Sequence, residues 1–259
     1  MSISRTAAGG LLLCPTEPLA SRPAAHLLRQ RMVLAPAGEW TVLVPVDTPW
    51  RGAEESVAEV LAGWGSAVAV GTPWPVLSLW WEDGRSGFAL ASGFRRPAAY
   101  AWDAAGRPDG DPDAMRTLAA RLGLDPVLDL EELERLTRPD EAADGSTRMI
   151  GLIALLSRAG MALPAGLSPG ESADRLRAAA RVAPGARTVE GSGWRDAVRA
   201  ELDAHGAWAR RTGALQLAAG VPLVVWAARR RSPGWLAAGA LLVAHGAAAL
   251  ASGRARTPR

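Results

Sequence analysis

WTVLVPV, residues 40–46, is apolar at almost every position. A short continuous run of this kind is expected of a strand buried on both faces. Working outward, GLLLC at 10–14 and SAVAVG at 66–71 have the same character. Helical patterns lie between these runs, at 21–32 and 52–64. In the second, Val57, Val60, Leu61 and Trp64 fall at i, i+3, i+4 and i+7, the spacing of one apolar helix face. The order β-α-β-α-β implies parallel strands joined by crossovers.

The pattern then changes. VLSLWWE at 76–82, SGFALA at 86–91 and AAYAWD at 98–103 are strand-like with short gaps, and Asp83-Gly84 is a tight hairpin signal. The predicted fold class is therefore α/β: a mixed sheet over residues 1–105, parallel at first and ending as an antiparallel meander.

Residues 106–183 read as a helical extension. Asp111-Pro112 opens a helix with the stripe Met115, Leu118, Ala119 and Leu122. Asp129 with Glu132 makes a box-like start for the next. MIGLIALL, within 146–160, predicts a central core helix too short to span a membrane. Ser168-Pro169-Gly170-Glu171 opens a helix running to about 183. Residues 184–193 (PGARTVEGSG) read as a linker.

All 29 basic residues are arginine. The phosphate-binding lysine of P-loop hydrolases and kinases and the Schiff-base lysine are thus excluded. One cysteine, Cys14, forbids an internal disulfide, and one cysteine with three scattered histidines cannot build a structural zinc site. No metal or cofactor is expected. The start, with only Leu11-Leu12-Leu13 as an apolar core, does not read as a secretory signal.

Charge is divided unevenly. After Asp203 come eight arginines and no acid, whereas residues 1–208 carry 21 arginines against 26 acids. The late arginines bracket apolar segments, an arrangement that favours a lipid surface over nucleic acid. Residues 212–228 and 232–253 are uncharged runs of seventeen and twenty-two, separated by Arg229, Arg230 and Arg231. As helices they would extend roughly 26 and 33 Å, against a hydrocarbon core of about 30 Å. The reading is a transmembrane helical hairpin over 212–253, preceded by an amphipathic juxtamembrane helix at 194–211 and followed by a basic tail at 254–259. Trp208, Trp226 and Trp235 stand where interfacial rings settle. Gln216 and His245 both fall in the half of the membrane nearer the termini and are expected to bond to each other across the hairpin. Ala240, Ala244 and Ala248 form a small-residue seam for association. Five arginines on the terminal side against three in the turn place both termini in the cytoplasm, on the inner membrane. A soluble alanine-rich hairpin packed on the rest is the competing reading.

The site expectation rests on an internal echo. Asp47-Thr48-Pro49-Trp50 follows the second predicted strand, Gly71-Thr72-Pro73-Trp74 the third, and Glu17 lies just after the first. In a parallel sheet all three loops share the carboxyl edge, where open α/β sheets bind ligands. Glu17, Asp47, Thr48, Trp50, Thr72 and Trp74 would then line one mouth suited to a small planar or sugar-like molecule. Ser86 lacks the context of a nucleophile elbow, and Asp109-Gly110-Asp111-Pro112-Asp113 departs from a calcium loop.

Three functions follow as expectations. The first is a membrane-anchored cytosolic sensing or scaffolding module, with the lipid bilayer as partner. The second is an enzyme or small-ligand binder using the Thr-Pro-Trp loops, with Asp47 or Glu17 as general acid or base. In the third, the hairpin itself associates with a membrane protein or with a second copy.

Overall fold

The computed structural model describes residues 8–190 except 29, 52 and 53, all within one compact unit, Met1–Ala197. The linker beyond 190, the juxtamembrane helix, the hairpin and the tail lie outside the described residues, and with them Gln216, His245, Trp208, Trp226, Trp235 and Arg229 to Arg231. Among the described residues no helix is long and apolar enough to cross a membrane.

The described residues form a mixed α/β fold on one eight-stranded antiparallel sheet. Its strands are β1 (Gly9–Cys14), β2 (Met32–Ala37), β3 (Trp40–Pro45), β4 (Val76–Glu82), β5 (Arg85–Ser92), β6 (Arg95–Trp102), β7 (Pro108–Gly110) and β8 (Arg187–Val189). The order across the sheet is β7-β6-β5-β4-β1-β3-β2-β8, and every neighbouring pair is antiparallel. Helices α1 (Pro18–Leu27) and α2 (Val57–Val70) link β1 to β2 and β3 to β4. The first four strands therefore have split β-α-β connectivity, each crossover skipping one strand.

This corrects the parallel reading in two places. SAVAVG is the last part of α2 rather than a strand. Val57, Val60, Leu61, Gly65, Val68 and Ala69 form a single buried stripe, so the helical period outweighs the local alternation. Met32–Ala37 supplies a strand that the sequence reading did not assign. β2 turns back through Gly38, whose φ of 71° suits glycine, and pairs with β3 from Met32↔Pro45 to Ala37↔Trp40. With β2 inserted, β1 and β3 run in opposite directions. The meander β4-β5-β6 agrees with the sequence pattern, including Asp83-Gly84 with positive φ at both residues.

Helices cover both faces, which explains the unbroken apolar runs in an antiparallel sheet. Leu12, Cys14, Leu34, Leu43 and Trp80 face α1 and α2. Leu11, Leu13, Val42, Leu79, Phe88 and Trp102 face the second layer. That layer is α3 (Asp113–Leu122), α4 (Leu128–Arg135), α5 (Gly145–Ser157) and α6 (Ala173–Val182). Their starts differ in detail from the sequence reading. Asp125, rather than Asp129, accepts the Val127 and Leu128 amides before α4. Ser172 caps α6, and Ser168 to Glu171 form the turn ahead of it. Within the predicted linker, Arg187–Val189 is β8 on the edge of β2.

Candidate functional site

The antiparallel sheet separates the loops expected to converge. Cys14 pairs with Thr41 and Leu13 with Leu77, so the turn carrying Glu17 lies at the start of β3 and β4. Thr72 and Trp74 enter β4 at that same end. Asp47, Thr48 and Trp50 leave β3 at the opposite end, beyond the Pro45↔Met32 pair. The six residues do not share one mouth, because a loop's edge follows strand direction.

Each has a local partner or place instead. Asp47 accepts two hydrogen bonds from Arg31, at 3.1 Å from Nε and 2.7 Å from Nη2. This holds its carboxyl below the usual range, which opposes a role as proton donor near neutral pH. Thr72 Oγ1 donates within its own turn, to Val68 O or Trp74 O. The main-chain oxygens of Glu17 and Thr48 accept turn hydrogen bonds, Glu17 from the Ala20 and Ser21 amides and Thr48 from the Arg51 amide. Trp50 is buried, with its ring centroid 6.3 Å from that of Trp64. Trp74 packs on the same apolar face beside Cys14. Among the described residues neither indole N–H reaches an acceptor of ordinary geometry. Both rings belong to the apolar packing of this face, Trp50 against Trp64 of α2. Burial pushes the Cys14 thiol up to about 12, the neighbouring Trp74 offsetting part of the rise.

Other chemistry-bearing residues are also committed to the fold. Ser86 Oγ is buried and donates to Gly145 O at 2.6 Å. His26 Nδ1 lies 2.9 Å from Glu190 O. Asp111 Oδ1 accepts the Asp113 amide in the turn before α3.

A different site emerges between α4 and α5. The two helices and their connection enclose a cleft of about 760 Å³, a volume within the ordinary range of small-molecule sites. Its walls are set by three anchors. Trp102 Nε1 donates to Leu136 O at 2.8 Å, fastening the end of α4 to β6. Asp144 caps α5 through the Thr147 amide at 2.7 Å. Arg158 ties α5 back to Asp129 and, at 3.1 Å, to Glu132. The paired guanidinium and the Asp125 amide hold the Asp129 carboxyl below its usual range.

Four arginines line this cleft, Arg135, Arg138, Arg148 and Arg158, against two acids, Glu132 and Asp140. Arg148 is the unusual one. It is only 4% exposed. Its guanidinium donates to Arg138 O at 2.6 Å and Arg135 O at 3.3 Å, where the dipole of α4 favours positive charge. Among the described residues its Nε has no acceptor and no carboxylate pairs with it. Arg135 and Arg138 are exposed and likewise make no ion pair among the described residues. Apart from Thr147, the rest of the lining is apolar: Leu136, Pro139, Ala143, Gly151, Ala154 and Leu155. The sequence held one signal for this site. Arg148 occupies the same helical stripe as Leu152 and Leu155, a position at which a charge is costly unless something meets it.

Among the described residues no three His, Cys, Asp or Glu side chains gather as a metal site. Comparison with protein-family models, with curated proteins and with solved structures found no match.

Proposed function

We propose that this chain is a membrane-anchored cytosolic module that senses or scaffolds, its α/β sandwich tethered to the inner face of a membrane by the 212–253 hairpin. The observation that carries this reading is the pair of uncharged runs, seventeen and twenty-two residues long, bracketed by arginines on both sides. Segments of this length match the hydrocarbon thickness, and charge is confined to positions that would lie at the two interfaces. Five arginines outside the hairpin and three in its turn support cytoplasmic termini. The separation of Asp47 from Glu17 and Trp74 argues against the Thr-Pro-Trp loops as a shared active site.

The test is extraction of the full chain from membranes. Sodium carbonate and high-salt washes should leave it in the pellet, and detergent should release it. Recovery in the carbonate supernatant would refute an integral anchor. Ser232→Cys then reports orientation, since Cys14 is buried. A membrane-impermeant maleimide should label it only from the outer side.

A further inference from the structure

We propose that the α4–α5 cleft binds a small phosphate monoester carrying an apolar group. This inference is independent of the membrane reading, because it concerns the described domain alone.

Three observations converge on that ligand class. The first is charge. Four arginines and two acids leave the lining with an excess of two positive charges. A phosphate monoester near neutral pH carries between one and a half and two negative charges, by the roughly −1.5 to −2 of a phosphorylated side chain. The second is the state of the arginines. Arg158 is satisfied by Asp129 and Glu132, whereas Arg135, Arg138 and Arg148 have no carboxylate partner among the described residues. Guanidinium groups are the side chains best shaped to hold phosphate oxygens. The third is desolvation. The Arg148 guanidinium is buried with two main-chain acceptors and one unpartnered donor. A buried charge left without a counter-charge is destabilising, and an anion entering the cleft relieves it. The leucine, proline and alanine lining then accommodates a non-polar body beside the charged head.

The geometry also explains what fixes the shape of the cleft. Its carbonyl-lined end is fixed by Arg148 and Trp102, and its far end by the Arg158 pairs. The two arginines free to close on a ligand, Arg135 and Arg138, use only main-chain atoms in the hydrogen bonds of the fold. Their side chains can be exchanged without removing a hydrogen bond or ion pair among the described residues.

The experiment titrates full-length protein in detergent with phenyl phosphate, followed by isothermal calorimetry. One saturable site is expected. Arg135→Gln with Arg138→Gln should weaken binding about tenfold or more, as expected when charge-assisted contacts to an oxyanion are removed. Arg95→Gln with Arg96→Gln, an equal loss of charge on the exposed β5–β6 hairpin, should leave it unchanged. Benzoate, a monoanion of similar size, should bind several-fold more weakly. Phosphatidic acid added to the micelles presents the same monoester on a lipid. Displacement of phenyl phosphate identifies a lipid source and no displacement a water-borne one; either keeps the phosphate assignment. No saturable binding at millimolar ligand would overturn the proposal, as would equal effects of the two double variants. Benzoate binding as tightly as phenyl phosphate would overturn the assignment to phosphate. None of these outcomes depends on carbonate extraction, so the two proposals fail separately.

Discussion

Thr41 Oγ1 donates to the main-chain oxygen of Thr16 at 2.6 Å, pinning the turn that leaves β1 to the first residues of β3. Thr41 is fully buried, so losing the hydroxyl removes the partner of an acceptor on half-buried Thr16. Thr41→Val keeps the shape and should lower stability by about 1–2 kcal/mol. Thr41→Ser should recover most of that loss. Urea midpoints at unchanged slope are the measurement, and a Val variant as stable as the parent would show that the bond contributes nothing.

Two glycines in α2 should respond with opposite signs. Gly63 is exposed, and a Cβ there would meet nothing within 4 Å. Gly63→Ala should stabilise the protein by roughly 0.5–1 kcal/mol through helix propensity. Gly65 lies against the sheet, where a Cβ would come within 2.5 Å of Ser78 Oγ. That hydroxyl donates to Leu61 O at 2.9 Å and holds the helix to β4. Gly65→Ala should therefore destabilise, by about 1–3 kcal/mol as overpacking does. Thermal unfolding of the two variants checks both directions at once.

Cys14 should be chemically silent in the folded state. Its thiol is buried and pushed up to about 12, so almost no thiolate exists at pH 8, and the thiolate is the nucleophile. Treatment with a chromogenic disulfide reagent should release its colour only after denaturant is added. Rapid reaction of the native protein would contradict this placement.

Acid should unfold the protein through identifiable carboxyls. Asp129 is held low by the Arg158 hydrogen bond and Asp144 by the Thr147 amide it caps. A carboxyl depressed in the folded state binds fewer protons there than when unfolded. Its contribution is present above the unfolded value, about 4, and is lost as pH falls through the folded one. Melting temperature should be flat near neutrality and decline below about pH 5. Asp129→Asn should lower the plateau and reduce the slope of that decline. A variant with an unchanged slope would remove Asp129 from this account.

Five strands and the meander were legible because buried strands and Asp-Gly turns write themselves locally. Strand direction was not, since it depends on the number of strands between two helices. β2 hid behind Pro36, a residue that argues against a central strand. The structure accommodates it because β8 pairs only with Met32 to Leu34, leaving Pro36 on the free side of β2. Gly38-Glu39 was the readable hint of a hairpin there. The arginine cleft was hidden for a different reason. Its residues come from two helices and the loop between them, and only Arg148, a charge on an apolar stripe, distinguishes itself from a solvated face.

β7 and β8 span three residues each, which has a consequence for crowding. An open sheet can recruit a stranger's backbone along its rim and grow into fibres. Here β7 covers only Tyr100 to Trp102, and the uncovered start of β6 carries Arg95, Arg96 and Pro97. At the other rim Pro36 removes a main-chain donor. Both rims are thus poor templates for strand-by-strand growth of this sheet from one copy to the next.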